Sequence, residues 1–244
     1  MMSTVLITGA SSGIGAQLAK DYAADGWQVI ACGRSLDKLQ HLADISKKII
    51  PLAFDVTDYQ ATHDALGERS IRPNLIILNA GTCEYIERGE VDVALFRRVF
   101  DVNFFGVLNC IEALQPKFTE TTHLAIVGST ASYVPLPRAE AYGASKAALA
   151  YLANTLKMDL SRDGVTLTLV SPGFVKTPLT DKNDFAMPMR VTTDYASSKI
   201  RKGIAKRQSE VHFPPLFSGY LKLLSLLPMP LQLAIVKKMT GKTE

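Results

Sequence analysis

The chain has 244 residues, 47% hydrophobic and 20% charged, which supplies one large α/β core and excludes a disordered protein. Sixteen Gly and twelve Pro exclude collagenous and low-complexity chains; three cysteines (Cys32, Cys83, Cys110) are too few for a disulfide scaffold and lack metal-ligand spacing. The net charge of +4 is uneven: from Lys199 onward nine Lys/Arg face two Asp/Glu, while the first 198 residues are net −3, which argues against a domain-wide nucleic-acid-binding surface.

The first apolar run, 4–7, reads as a strand and is not preceded by a basic n-region, so the expected compartment is the reducing cytoplasm. Directly after it comes Thr8-Gly9-Ala10-Ser11-Ser12-Gly13-Ile14-Gly15, opening a helix over 13–25. A pyrophosphate needs a tight turn, close backbone approach and free N–H groups at a helix N-terminus, and glycines at 9, 13 and 15 can supply all three. Ser11 and Ser12 add hydroxyl donors. A second strand, 28–32, ends at Gly33-Arg34. An acid at this place would bind a ribose 2′-OH; an arginine suits a 2′-phosphate, so NADP(H) is favoured over NAD(H).

Further strands are expected over 49–54, 75–78, 123–127 and 165–170, and helices over 36–42, 59–69, 91–115 and 141–161. Several strand runs are apolar on both faces, as buried parallel strands are. This alternation predicts a single α/β domain built as a doubly wound parallel sheet of Rossmann type. After Val170 the rhythm breaks. Prolines 172, 178 and 188 prevent a continuous helix over 171–189 and point to a mobile covering loop. A helix over 194–205 and an edge strand ending at Phe213 follow. Residues 178–244 thus read as a substrate loop and an apolar, basic C-terminal extension, whose tail is broken by Lys222, Pro228 and Pro230 and cannot span a membrane as one helix.

Within the helix over 141–161, Tyr142 and Lys146 are four apart and project from one face. A cation near a phenol favours the phenolate, which is what a tyrosine needs to exchange protons near neutrality. Alone, such a pair is an ordinary surface face. Its context is more specific. The order and spacing of several motifs resemble the short-chain dehydrogenase/reductase family from residue 4 to about 177. These are the T-G-x-x-x-G-I-G turn, Asp55-Val56, Asn79-Ala80-Gly81, Asn103, Ser129, the Y-x-x-x-K pair and Pro172-Gly173. One departure is Leu78, where the fuller pattern has a first Asn.

The resemblance implies a catalytic tetrad of Asn103, Ser129, Tyr142 and Lys146. Tyr142 would exchange a proton with the substrate oxygen and Ser129 would orient that oxygen. Lys146 would lower the Tyr142 pKa and hold the nicotinamide ribose, and Asn103 would hold a water linking Lys146 to solvent. The resemblance further implies adenine contacts from Asp55 and Val56, turn support from Asn79, and carboxamide contacts from Val175 and Thr177. It also implies a homodimer or homotetramer built on the helices around 91–115 and 141–161, where Phe96, Val99, Phe100, Val107, Leu108 and Ile111 form an apolar stripe shared by core and interface.

No metal site is expected, since the four histidines lack partners at ligand spacing, and Ser129 lies outside any hydrolase elbow. The leading reading is an NADP(H)-dependent carbonyl–alcohol oxidoreductase. Its substrate would be a small lipophilic molecule, because 82–86, 133–138 and the segment after Pro178 are apolar with scattered charges. The alternatives are an inactive NADP(H)-sensing regulator and a membrane-surface lipid-handling protein. The tail has three readings: packing on the domain or a second subunit, a lid over the substrate cleft, and peripheral contact with an anionic bilayer through its leucines and lysines 222, 237, 238 and 242.

Overall fold

The computed structural model describes residues 3–67 and 71–241. Seven strands form one all-parallel sheet: β1 (Thr4–Ile7), β2 (Gln28–Gly33), β3 (Ile49–Ala53), β4 (Leu75–Leu78), β5 (His123–Val127), β6 (Thr166–Pro172) and β7 (Glu210–Phe213). Their order is β3-β2-β1-β4-β5-β6-β7. This is the expected doubly wound α/β architecture of Rossmann type, with the segment ending at Phe213 as its seventh, edge strand.

Side chains alternate across each strand and feed two cores. Val5, Ile7, Val29 and Ile77 face α1 (Gly13–Ala24), α2 (Leu36–Ala43) and α7 (Thr193–Ala205), meeting Leu18, Leu39 and Ile200. Leu6, Ile30, Ile76, Leu124 and Ile126 face the opposite layer of α3 (Tyr59–Gly67), α5 (Gly106–Leu114) and α6 (Glu140–Leu160). Each fully buried Leu or Ile there contributes about 1.5–3 kcal/mol. Of the helix expected over 59–69, residues 68 and 69 lie outside the described residues.

The helix expected over 91–115 is not continuous. α4 (Val93–Phe100) is capped by Asp92, whose carboxylate accepts from Ala94 N (2.9 Å) and Leu95 N (3.2 Å). A π-helical turn, Asp101–Phe105, separates it from α5. Gly106 follows because a Cβ there would meet Val56 Cγ2 at 2.7 Å. π-turns inside helices tend to mark functional places, and this one carries Asn103. Of the apolar stripe, Val99, Val107 and Ile111 are core, and Phe96, Phe100 and Leu108 are half-buried.

The tail forms two helices, α8 (Pro215–Ser225) and α9 (Met229–Thr240), joined as a hairpin. Leu221, Leu224 and Val236 pack against Val134, with Leu136 and Phe217 beside them. The inner face of the hairpin is therefore packed on the domain, as the first of the three readings expected. No described helix is long and apolar enough to cross a membrane.

Candidate active site

β1 and β4 are neighbours, and their helices leave toward opposite faces, which opens a crevice at the carboxyl ends of these strands. A cleft of about 760 Å³ lies there. Its floor is the turn after β1, where Gly9, Ser11, Ser12, Gly13 and Ile14 face the cleft. Gly9 has φ +65°, and a Cβ on it would come within 2.8 Å of Ala80 Cα. Gly15 lies behind the turn, where a Cβ would come within 2.3 Å of the Gly9 carbonyl oxygen. Thr8 Oγ1 accepts from the N–H groups of Asn79 (3.0 Å) and Ala80 (3.1 Å), and Asn79 Nδ2 donates to Thr8 O (3.1 Å) and Gly9 O (3.3 Å). β4 thereby clamps the turn from behind. Ser12 precedes α1 without a side-chain cap bond, so its hydroxyl is available to an anion.

At the far end of the cleft β2 stops at Gly33, where an added Cβ would lie in ordinary contact with Ser11, 3.5 Å away. Arg34 is exposed and lies 3.7 Å from Asp55. Asp55 is fixed in turn by accepting from Thr57 N (3.0 Å) and Oγ1 (2.9 Å), and Val56 lines the wall next to it. Two residues at this end were not singled out in the sequence: Ser35 and Lys38, at the start of α2. The signal for Lys38 was present, since Arg34 and Lys38 are four apart across a helix N-terminus.

The remaining predicted residues meet at the β4–β6 end. Ala80, Gly81, Ser129, Tyr142, Lys146, Pro172, Gly173, Val175 and Thr177 all line the cleft. Ser129 opens a short 3₁₀ turn after β5, accepting from Ala131 N at 3.1 Å, and its hydroxyl is the hydrogen-bond partner of the Tyr142 phenol. Lys146 is buried, donates to Val127 O at 2.9 Å, and sits 5.9 Å from the Tyr142 ring centre. Asn103 is not on the wall. It is fully buried, donates to Thr82 O (3.0 Å) and Ser145 Oγ (3.0 Å), and accepts from Thr82 N (2.8 Å). Its Oδ1 and the Lys146 ammonium both border Gly81.

The expected lowering of the Tyr142 pKa is not what this arrangement produces. Burial pushes the phenol up, the Cys83 sulfur pushes in the same direction, and only the Ser129 hydroxyl opposes them. Desolvation outweighs a cation that sits over the ring rather than at the oxygen. Burial also lowers Lys146 to about 8 from its ordinary 10.5. The folded chain therefore binds this proton less tightly than the unfolded chain does. The resulting cost is fully present below about pH 8 and fades toward 10.5. Lys146→Met is expected to raise the stability of the cofactor-free protein at pH 7 by on the order of 1–2 kcal/mol, net of the lost Val127 bond. The gain should vanish near pH 10, which thermal melts at the two pH values would reveal.

The three predicted substrate walls converge. Arg138 pairs with Glu87 (2.5 Å) and Asp184 (2.8 Å) and lies over the Tyr85 ring at 5.7 Å, which ties 82–86, 133–138 and the loop after Pro178 together. Tyr85 packs edge-on against Phe185 (5.3 Å), Phe185 against Phe174 (6.1 Å), and Phe174 against Phe217 of α8 (5.7 Å). Cys83, hydrogen-bonded to Tyr85 and inside the predicted wall 82–86, is a further neighbour of Tyr142 and Lys146; a single cysteine in a loop carries no pattern that would place it there. Among the described residues no three His, Cys, Asp or Glu side chains gather as a metal site.

Comparison with known proteins gives the family and the fold. Residues 3–199 match the model of the short chain dehydrogenase family. The chain is 35% identical over 237 residues to an uncharacterized oxidoreductase of Myxococcus xanthus, covering 93% of this chain and 94% of that protein. It is 34% identical to serine 3-dehydrogenase of Rhizobium radiobacter, over 84% of this chain and 82% of the relative. Solved short chain dehydrogenases from Burkholderia cenocepacia, in complex with NADP, and Burkholderia phymatum, in complex with NAD, share the fold. Their TM-scores are 0.86 and 0.82, at 23% and 22% identity, over 96% and 91% of this chain and 97% and 92% of theirs.

Proposed function

The chain belongs to the short chain dehydrogenase family, and we propose that it is an NADP(H)-dependent oxidoreductase interconverting a carbonyl and an alcohol on a small lipophilic substrate. One observation carries this reading: Ser129, Tyr142 and Lys146 meet at one end of a cleft whose floor is a glycine turn and whose other end carries Arg34 and Lys38. The residues present fit a dinucleotide. At Gly9 and Gly15 any side chain would collide with backbone, and an uncapped helix N-terminus faces the same space. Gly9, Ser11, Ser12, Gly13 and Ile14 would hold the pyrophosphate, with Gly15 behind them shaping the turn. Asp55 and Val56 would hold the adenine, and Ala80, Gly81, Pro172, Gly173, Val175 and Thr177 the nicotinamide side. When bound, the cofactor supplies the hydride.

The chain supplies the proton and the orientation. A phenol that burial keeps protonated is suited to donate, so Tyr142 gives its proton to the substrate oxygen in the reductive direction. Ser129, hydrogen-bonded to that phenol, orients the same oxygen. Lys146 uses one N–H on Val127 O and keeps two for ribose hydroxyls and for returning a proton to Tyr142. Asn103 serves this relay as a positioning residue, pinning Thr82 and Ser145 while its Oδ1 borders Gly81 with the ammonium. The filled tetrad supports turnover over cofactor sensing. The aromatic cluster of Tyr85, Phe174 and Phe185, of which Tyr85 neighbours Tyr142, supports a lipophilic substrate, bounded by the loop and extension of residues 178–244. We further propose a cytoplasmic homodimer or homotetramer assembled on α4, α5, α6 and the π-turn between α4 and α5, whose outer surfaces expose Phe105, Tyr151 and Met158.

An aldehyde and ketone panel read by NADPH oxidation tests the activity. Cofactor preference has its own test. Arg34 and Lys38 present cations where Gly33 presents no carboxylate, so NADPH is expected to bind tighter than NADH. Because Arg34 is exposed and already pairs with Asp55, Arg34→Ala should cost about tenfold in NADPH affinity and little in NADH affinity. Equal dissociation constants in the wild type would overturn the preference.

A further inference from the structure

From Leu223 to Val236 the chain runs fourteen residues without a charged side chain, across the end of α8 and the start of α9. The hairpin tip leaves six consecutive residues, Leu226 to Leu231, exposed to solvent, all of them Leu, Pro or Met. Leu226 is 80% exposed and Leu231 52%, with Leu223 at 66% and Leu233 at 50% beside them. An apolar patch of this kind marks a contact surface. We propose that this tip inserts into the surface of an anionic lipid bilayer.

The tip's backbone suits an apolar medium. Its two polar side chains turn inward: Ser225 Oγ donates to Lys222 O (2.7 Å), and Gln232 Nε2 donates to Ser225 O (3.2 Å) and Leu227 O (2.8 Å). Those carbonyls end α8 and would otherwise need water. Pro228 and Pro230 have no N–H to satisfy, and the N–H groups of Leu231 and Gln232 both reach Pro228 O (3.0 and 3.2 Å). The prolines that prevent a spanning helix thus remove donors from the tip.

Charge sets the partner. Lys237 and Lys238 are exposed in the last turns of α9, about 12 Å along the helix from Met229, behind the apolar tip and at headgroup depth for a shallow insertion. Lys222 does not serve, because it pairs with Glu210 at 2.6 Å, and Lys242 lies outside the described residues. Six consecutive exposed residues point in several directions at once. A second protein surface covers one face of a helix, whereas a fluid bilayer covers all sides of a tip.

The test is flotation of the full chain with mixed phosphatidylcholine–phosphatidylserine vesicles and with phosphatidylcholine vesicles alone. Wild type is expected to float with the anionic vesicles at low salt. L226E/L231E, at two solvent-exposed positions, should lose at least about tenfold in partitioning, and K237Q/K238Q about tenfold to thirtyfold on anionic vesicles only. Wild type that stays in the aqueous phase, or L226E/L231E that floats like wild type, overturns the proposal. So does a lower sedimentation mass for L226E/L231E than for wild type, which would assign the tip to a second copy of this chain. Should L226E/L231E fail to fold, K237Q/K238Q decides: unchanged flotation on anionic vesicles overturns the proposal as well.

Discussion

Tyr142→Phe is expected to reduce carbonyl turnover by about 10²–10⁴-fold while leaving NADPH affinity within a few-fold of wild type. The substitution removes only the phenolic hydroxyl and retains the ring beside Lys146 and Cys83. Of its neighbours, Ser129 is tied to Ala131 N through its oxygen and the Cys83 thiol is pushed up to about 11, while the Lys146 ammonium serves to return a proton to the very hydroxyl that the variant lacks. Single-turnover reduction of any aldehyde found in the panel, with separate titration of NADPH binding, reads both quantities. A variant that keeps more than a few per cent of the wild-type rate would remove Tyr142 from the proton-donor role, and Lys146 would become the group to test.

Gly15→Ala should have the second large effect, through a different link. A Cβ at residue 15 would lie 2.3 Å from Gly9 O and 2.6 Å from Asn79 Nδ2. The first obstacle is backbone, so the turn itself must shift and cannot be relieved by a rotamer change. Overpacking of this kind costs about 1–3 kcal/mol of stability. Shifting Gly9 also breaks the bond from Asn79 and moves the floor that Ser11 to Ile14 present to a pyrophosphate. NADPH affinity should fall by more than about a hundredfold, since several charge-assisted contacts are lost together. Gly219→Ala, where a Cβ would meet nothing within 4 Å, is the matched control and should change neither melting nor affinity. Wild-type NADPH binding by Gly15→Ala would mean the turn is not the phosphate site.

The parallel architecture was legible because its signals are local. Strands such as Thr4–Ile7, Leu75–Leu78 and His123–Val127 are short apolar runs, and burial on both faces leaves alternation nothing to obscure. The glycine turn and the Tyr142–Lys146 spacing were legible for the same reason, being set within a few residues. Other features depend on contacts distant in sequence. The π-turn at Asp101–Phe105 forms where Gly106 meets Val56 and Asn103 reaches Thr82 and Ser145, contacts spanning up to 50 residues. Cys83 entered the site only because β4 delivers it beside α6, and Lys38 because α2 starts at the cleft rim.

Sequence by itself thus determined the order of elements, the family and the positions of the glycine turn and the Tyr–Lys pair, because periodicity and short spacings encode them. Tertiary structure decided the direction in which the proton affinities of that pair move. Spacing placed a cation near a phenol and predicted a lowered pKa, but burial pushed the phenol up and the ammonium down to about 8. Desolvation depends on everything packed around a group, and no local pattern carries that sum. The tail divides in the same way: its leucines and prolines were readable in order, while which of them face Val134 and which face outward was settled only when the hairpin packed on the domain.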